Sequence, residues 1–227
     1  MLFDTYRPDF DTAQALRWLH LDADFEQELA PLVEKTRQAA HPRILVRQAA
    51  VTNCDAQQVT LDGQTVQSRV VAARLAGLSR AFCYVATCGA ELDALAGAQE
   101  DPLLQYWQQA LNERVLHLAC VWAQAQLCDR FDLKPLSAVN PGSNPDWPIQ
   151  AQAQLFDLIG NVTAQTGVTL DGAYWMHPVK STSGIWFEGA KKSCNCQLCL
   201  RRSCVGRRMP FDPQQYRTVF GALPVHA

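Results

Sequence analysis

Apolar and polar positions recur along this chain with two periods, and each period predicts an element. Between 102 and 128, the residues Leu104, Trp107, Leu111, Val115, Leu118 and Trp122 follow one another at three- and four-residue steps. That spacing places them on one stripe of a long α-helix. Asp101 offers a carboxylate to its first turn, and Pro102 suits that turn because it has no N–H to satisfy. His117 falls off the stripe, among Glu113 and Gln124. It reads either as a solvated histidine or as one that faces a site. The first forty residues also carry helical spacing, with Asp11 as a cap and Phe25, Leu29, Leu32 and Val33 on one side.

Alternation marks the strands. A short β-rich run covers 44–46, "QQVTLDGQTVQS" turns at Gly63 between two alternating stretches, and "AFCYVATCG" reads as a buried strand ending in glycine. "LSAVNPGSNPDWPIQ" (136–150) holds three prolines, a glycine and two asparagines. It predicts a rigid, irregular loop whose backbone donors no ladder absorbs. Asp146 is then expected to cap a helix over 148–160, with Ile149, Phe156 and Ile159 on one face. "VTLDGAYWMHP" and "STSGIWFEG" flank Pro178 and predict an antiparallel pair covered by helices. Strands gathered between helical blocks predict an α+β fold with a twisted, mainly antiparallel sheet flanked by helices. The expected organisation is one domain over 1–227: an N-terminal helical region 1–42, a core 43–190 and a cysteine-rich knuckle 191–208.

Composition narrows the partners. Twenty basic residues against 22 acidic ones give no global attraction to nucleic acid or to a membrane surface. No apolar run approaches the roughly 20 residues that a membrane helix needs. The start of the chain, "MLFDTYRPDFDTAQ", lacks the pattern of a signal peptide, so a cytoplasmic protein is expected. In a reducing compartment Cys54, Cys83, Cys88, Cys120 and Cys128, scattered among apolar residues, are expected to pack as small buried hydrophobes.

The tail differs. "KKSCNCQLCLRRSCVGRR" (191–208) carries four cysteines and six Arg or Lys residues, with no acidic residue between Glu188 and Asp212. Cys194, Cys196, Cys199 and Cys204 together meet the tetrahedral thiolate demand of an iron–sulfur cluster or of structural zinc. A knuckle with no metal, or with three ligands only, is the third reading. Lys191, Lys192, Arg201, Arg202, Arg207 and Arg208 would offset thiolate charge and favour metal loading. The alternatives are a solvated basic face or a nucleic-acid patch; the latter is disfavoured because no aromatic residue interleaves the charges.

Several segments, in order, carry a family likeness: "ATCGAELDAL", "DPLLQYWQQALNERV", "NPGSNPDWPIQAQAQLFDLI", "GVTLDGAYWMHPVKSTSGI" and then the knuckle. From about residue 11 to 208 the chain resembles the activation-domain family of cobalamin-dependent methionine synthase, in its free-standing branch. The resemblance implies a helmet-like α+β fold, a corrinoid protein as partner with cobalamin bound on it, and a role in restoring oxidised cobalt to methylcobalamin. It implies that Pro141 and Gly142 form the ligand-facing loop and that His117 stands where a glutamate would meet the ligand's amino group. A family arginine matches Ala138, and a family tyrosine matches Ser143.

An α-amino acid needs an anion partner and a cation partner, each worth about 1.5–3 kcal/mol when charge-assisted. Neither is present at its matching position, which argues against S-adenosylmethionine binding. The expected function is therefore an accessory protein that docks a corrinoid methyltransferase domain and supports its reductive reactivation, within methionine biosynthesis and with at most a part in that enzyme's turnover. A metal-stabilised binding module that kept the fold alone is the alternative. A domain using S-adenosylmethionine through substituted contacts is the third.

Overall fold

Asp11 opens the first helix as its position predicts. Its carboxylate accepts from the Gln14 N–H at 2.7 Å, and the Gln14 side chain accepts from the Asp11 N–H at 3.0 Å, a reciprocal capping box. The structure is a computed structural model that describes residues 1–189, 195–201, 203, 204, 207 and 209–222.

In chain order the elements are strand β1 (Leu2–Phe3), helices α1 (Thr12–Leu19) and α2 (Glu26–Ala39), strands β2 (Arg43–Thr52), β3 (Gln58–Leu61) and β4 (Gln64–Gln67), and helix α3 (Arg69–Leu75). Strand β5 (Arg80–Thr87), helices α4 (Ala90–Gly97) and α5 (Pro102–Phe131), strand β6 (Leu136–Val139) and helices α6 (Ala151–Ile159) and α7 (Val162–Thr166) follow. Strands β7 (Thr169–Leu170), β8 (Met176–His177) and β9 (Ser181–Glu188) and helix α8 (Pro213–Phe220) complete the fold, with 3-10 turns at Ala23–Phe25 and Asn195–Leu198. The main sheet has the order β4–β3–β2–β5–β9–β6, with β1 beside β2, while β7 and β8 pair separately. The pairings β1·β2, β2·β3, β3·β4 and β6·β9 are antiparallel. This is the expected α+β class. No helix among the described residues is long and apolar enough to cross a membrane.

The chain divides into two compact units. The first comprises Met1–Leu45, Val85–Gln126 and Asn161–Thr182. The long helix buries only part of its predicted stripe, with Leu104, Leu118 and Trp122 half-buried. Trp107, Leu111 and Val115 are buried, and so are Gln108, Asn112, Leu116 and Ala119. The two buried amides are tied in through hydrogen bonds, although Gln108 Oε1 has no partner among the described residues. Gln108 Nε2 donates to Thr36 Oγ1 and to Asn112 Oδ1, each at 2.8 Å, and Asn112 Nδ2 donates to the Leu92 carbonyl at 2.7 Å. Asp101 caps the helix as expected, accepting from Leu103 N–H at 2.7 Å.

The second unit comprises Val46–Tyr84, Leu127–Gly160 and Ser183–Ala227. The predicted hairpin forms from β3 and β4, with both Asp62 (φ 45°) and Gly63 (φ 84°) in the left-handed region, as tight hairpin turns require. Two expectations are corrected. Leu136–Val139 is not loop but strand, with Ala138 opposite Trp186; the irregular stretch begins only at Asn140. The two runs around Pro178 do not pair with each other. Within the first, Thr169 stands opposite His177 to make the small β7–β8 hairpin, whereas the second, β9, takes β6 as a partner. Local alternation cannot name a strand's partner, and here a distant four-residue segment supplies it.

Gly184 on β9 makes that pairing possible. A Cβ there would lie 2.5 Å from the Val139 carbonyl oxygen, 2.6 Å from Asn140 Nδ2 and 3.1 Å from Tyr84 Cε1. Tyr84 also stacks on Trp186, with centroids 4.0 Å apart. Gly184→Ala is expected to destabilise the protein by about 1–3 kcal/mol through overpacking against backbone, read by urea unfolding; an unchanged midpoint would contradict this packing.

Candidate functional site

The loop after β6 is held by its own short turns. Gly142 N–H donates to the Trp147 carbonyl at 2.8 Å, Ser143 N–H to the Asn140 carbonyl at 3.4 Å, and Trp147 N–H to the Asn144 carbonyl at 3.0 Å. Gly142 has φ 76°, and a Cβ on it would come within 2.9 Å of Ile149 Cδ1, so glycine is required there. The expectation of spare backbone donors is therefore corrected at these three positions, where the turn itself consumes them. Asn140 anchors the start of the loop, donating to the Tyr84 hydroxyl at 2.7 Å and to the Ser183 carbonyl at 2.8 Å.

Asp146 fixes the other end, but not by capping α6. That helix starts at Ala151 and has no side-chain cap. Asp146 instead reaches the start of α3: it accepts from the Ser68 hydroxyl at 2.8 Å, Val70 N–H at 3.0 Å and Arg69 Nε at 2.9 Å. Ser68 in turn caps α3 through Val71 N–H. Burial pushes the Asp146 carboxyl up, but the Val70, Arg69 and Ser68 bonds outweigh it and hold the group below its ordinary range.

The cysteine segment sits against this loop. Leu198 is buried, and its carbonyl accepts from Asn144 Nδ2 at 3.1 Å. Cys199 N–H donates to the Cys196 carbonyl at 3.3 Å, the three-residue bond of a 3-10 turn, which brings side chains at this spacing to one side. Arg207 gathers the segment. Its guanidinium donates to the carbonyls of Cys196 at 2.9 Å, Cys199 at 3.2 Å and Met209 at 3.4 Å, and also to that of Arg201. Its own N–H donates to the Cys204 carbonyl at 3.1 Å.

Loop and segment enclose a cavity of about 960 Å³. Gly142, Ser143, Asn144 and Asp146 line it from the loop, Cys196, Cys199, Cys204 and Arg201 from the tail, and Arg69, Tyr216 and Phe220 complete the wall. The Arg69 guanidinium lies 4.8 Å from the Phe220 ring centroid, and Phe220 packs on Tyr216 at 4.4 Å.

Of the residues expected at a site, the cavity brings together Gly142, Cys196, Cys199 and Cys204. Pro141 is buried beside Gly142. His117 is exposed on α5 in the other unit. Cys194 lies outside the described residues, as do Lys191, Lys192, Arg202 and Arg208. Among the described residues, no three His, Cys, Asp or Glu side chains are already placed to hold a metal ion. The donor chemistry still suits a soft metal, since three cysteines border one cavity. Arg69, Asn144 and Asp146 were missed as parts of one site, and only the Asn-Pro-Asp-Trp turn chemistry hinted at the last two.

The remaining cysteines divide. Burial pushes the thiols of Cys83, Cys88 and Cys120 up to about 12, so they stay protonated and inert. Cys54 departs from expectation. It is exposed in the turn before β3, with its thiol on the Ala72 carbonyl at 3.3 Å, and Cys128 is only half-buried, with its thiol on the Lys134 carbonyl at 3.6 Å.

No protein-family model matches the chain, and no curated protein matches it. Among solved structures it is similar to one described as the MetH reactivation domain bound to AdoHcy, with a TM-score of 0.57 and 18% sequence identity. The likeness covers 80% of this chain and 67% of that one. At this identity it establishes a shared fold.

Asp146→Asn is expected to lower stability by about 1–3 kcal/mol near neutral pH, the scale of hydrogen bonds to a charged group. Because the folded-state pKa is depressed, this contribution is present above the unfolded-state value and is lost as pH falls through the folded one. The gap between wild type and variant in urea unfolding should therefore close in acid. A gap independent of pH would contradict the role given to the carboxylate.

Proposed function

We propose that this chain is an accessory protein for reductive reactivation of a cobalamin-dependent methyltransferase, acting by docking the enzyme's corrinoid domain. The observation that carries this reading is the fold it shares with the MetH reactivation domain. The loop following β6 supports it further, because this loop is stiffened by internal bonds and by Asp146 while Gly142 and Ser143 stay exposed. A preorganised surface of this kind loses little entropy on binding a second protein.

Cys194, Cys196, Cys199 and Cys204 are the residues that would hold a soft metal. An iron–sulfur cluster there would supply single electrons, and zinc would supply only structural cross-linking. The cavity wall that carries three of these cysteines also carries the loop, so an electron carried there would leave beside the docking surface. The metal-stabilised binding module, with zinc or a cluster but no reactivation chemistry, differs from this reading in having no corrinoid partner.

A second reading follows from the ligand of the similar structure, AdoHcy: the chain would itself hold an S-adenosyl compound. Three features weigh against it. Ala138 is part of the β6–β9 ladder and offers no cation, Ser143 offers no aromatic face, and the Gly142 and Ser143 N–H groups are already used.

Isothermal titration separates the possibilities. Binding of a cobalamin-loaded corrinoid domain is expected, whereas its absence would remove the docking reading. With S-adenosylmethionine alone no heat of binding is expected at millimolar ligand, roughly the weakest range of specific recognition. A micromolar dissociation constant would establish the second reading in its place.

A further inference from the structure

We propose that Arg207 is the positioning residue of the thiol site, the internal template that holds the backbones of Cys196, Cys199 and Cys204 in place without metal. This inference rests on reading those cysteines as a metal site. All three cysteine carbonyls are bound by this one residue, the first two by its guanidinium and the third by its backbone N–H. All three residues line the same cavity. With two of these carbonyls on its guanidinium and the third on its N–H, the backbones of Cys196, Cys199 and Cys204 are held, and metal uptake asks chiefly for rotation about their Cα–Cβ bonds.

This differs from a domain that is unfolded without its metal, in which binding energy is folding energy. Gln197 and Leu198 are secured independently. Leu198 is buried, its carbonyl takes the Asn144 amide, and Asp212 N–H donates to the Gln197 carbonyl at 2.9 Å. The metal would thus be exchangeable, taken up and released while the backbones of Cys196, Cys199 and Cys204 keep their hydrogen bonds. It also gives the Arg207 guanidinium a task other than offsetting thiolate charge. A lysine would keep the charge but lose the planar fork that reaches several acceptors at once.

Arg207→Lys is the test, in the full chain, reduced and anaerobic. Two quantities are read: zinc affinity by chelator competition, and amide hydrogen exchange at Cys199, Arg207 and Asp212 in chelator-treated, metal-free protein. Wild type is expected to keep these amides protected without metal. The variant is expected to lose that protection and to bind zinc 10–100-fold more weakly, the usual loss on removing an outer-shell partner, while its global melting transition stays in place. Equal zinc affinity in both proteins would overturn the proposal, and so would amides that exchange equally fast in metal-free wild type and variant. Wild-type protein that takes up no zinc or iron would instead remove the metal reading, and the exchange comparison would then decide the template role by itself.

Discussion

The Asp146 carboxylate is the constraint on which the site depends. One side chain ties the end of the Asn140–Asp146 loop to the first turn of α3, using a hydroxyl, a backbone N–H and a guanidinium at once. That pins Arg69 where its face meets Phe220 of α8, and it holds Asn144 where its amide meets the Leu198 carbonyl of the cysteine segment. The cavity wall is the sum of these attachments. Without the carboxylate, three separate stretches of chain would lose their common reference, and each attachment would have to bear its own ordering entropy.

Features written in local chemistry were legible in the sequence. The Asp11 capping box, the Asp62–Gly63 turn, the Asp101 cap and the stripe through Trp107, Leu111 and Val115 depend on neighbours within a few residues. Features made by distant partners were not. Leu136–Val139 is too short to declare itself a strand and becomes one because β9 offers a ladder, which in turn needs the missing Cβ of Gly184. Asp146 looked like the cap of the helix next to it, yet its partners begin 78 residues upstream. Arg207 was hardest to place, because its partners are carbonyl oxygens and every residue carries one.

The site joins two parts that the sequence keeps far apart: a stiff loop with a buried proline and an obligatory glycine, and a thiol-bearing turn organised by a single guanidinium. The fold is shared with the MetH reactivation domain, and the proposed function gives this pairing its sense. A protein that docks a corrinoid domain needs a rigid face, and one that supports reduction needs a redox-capable group beside that face. The stiffness is supplied by hydrogen bonds internal to the loop, the very bonds that use up donors a small ligand would need. Loop stiffness and small-molecule binding therefore compete for the same N–H groups, and in this chain the first use prevails.

Thiol footprinting tests the union of loop and cysteines most directly. Reduced, metal-free protein would be pulse-alkylated with and without a saturating cobalamin-loaded corrinoid domain, and modification at Cys196, Cys199 and Cys204 quantified by peptide mass spectrometry, with exposed Cys54 as the internal control. Slower alkylation of the three tail cysteines in the complex, with Cys54 unchanged, is the expected result. Equal alkylation at all four positions in a demonstrably formed complex would mean that the cavity takes no part in docking, and the functional account would fail.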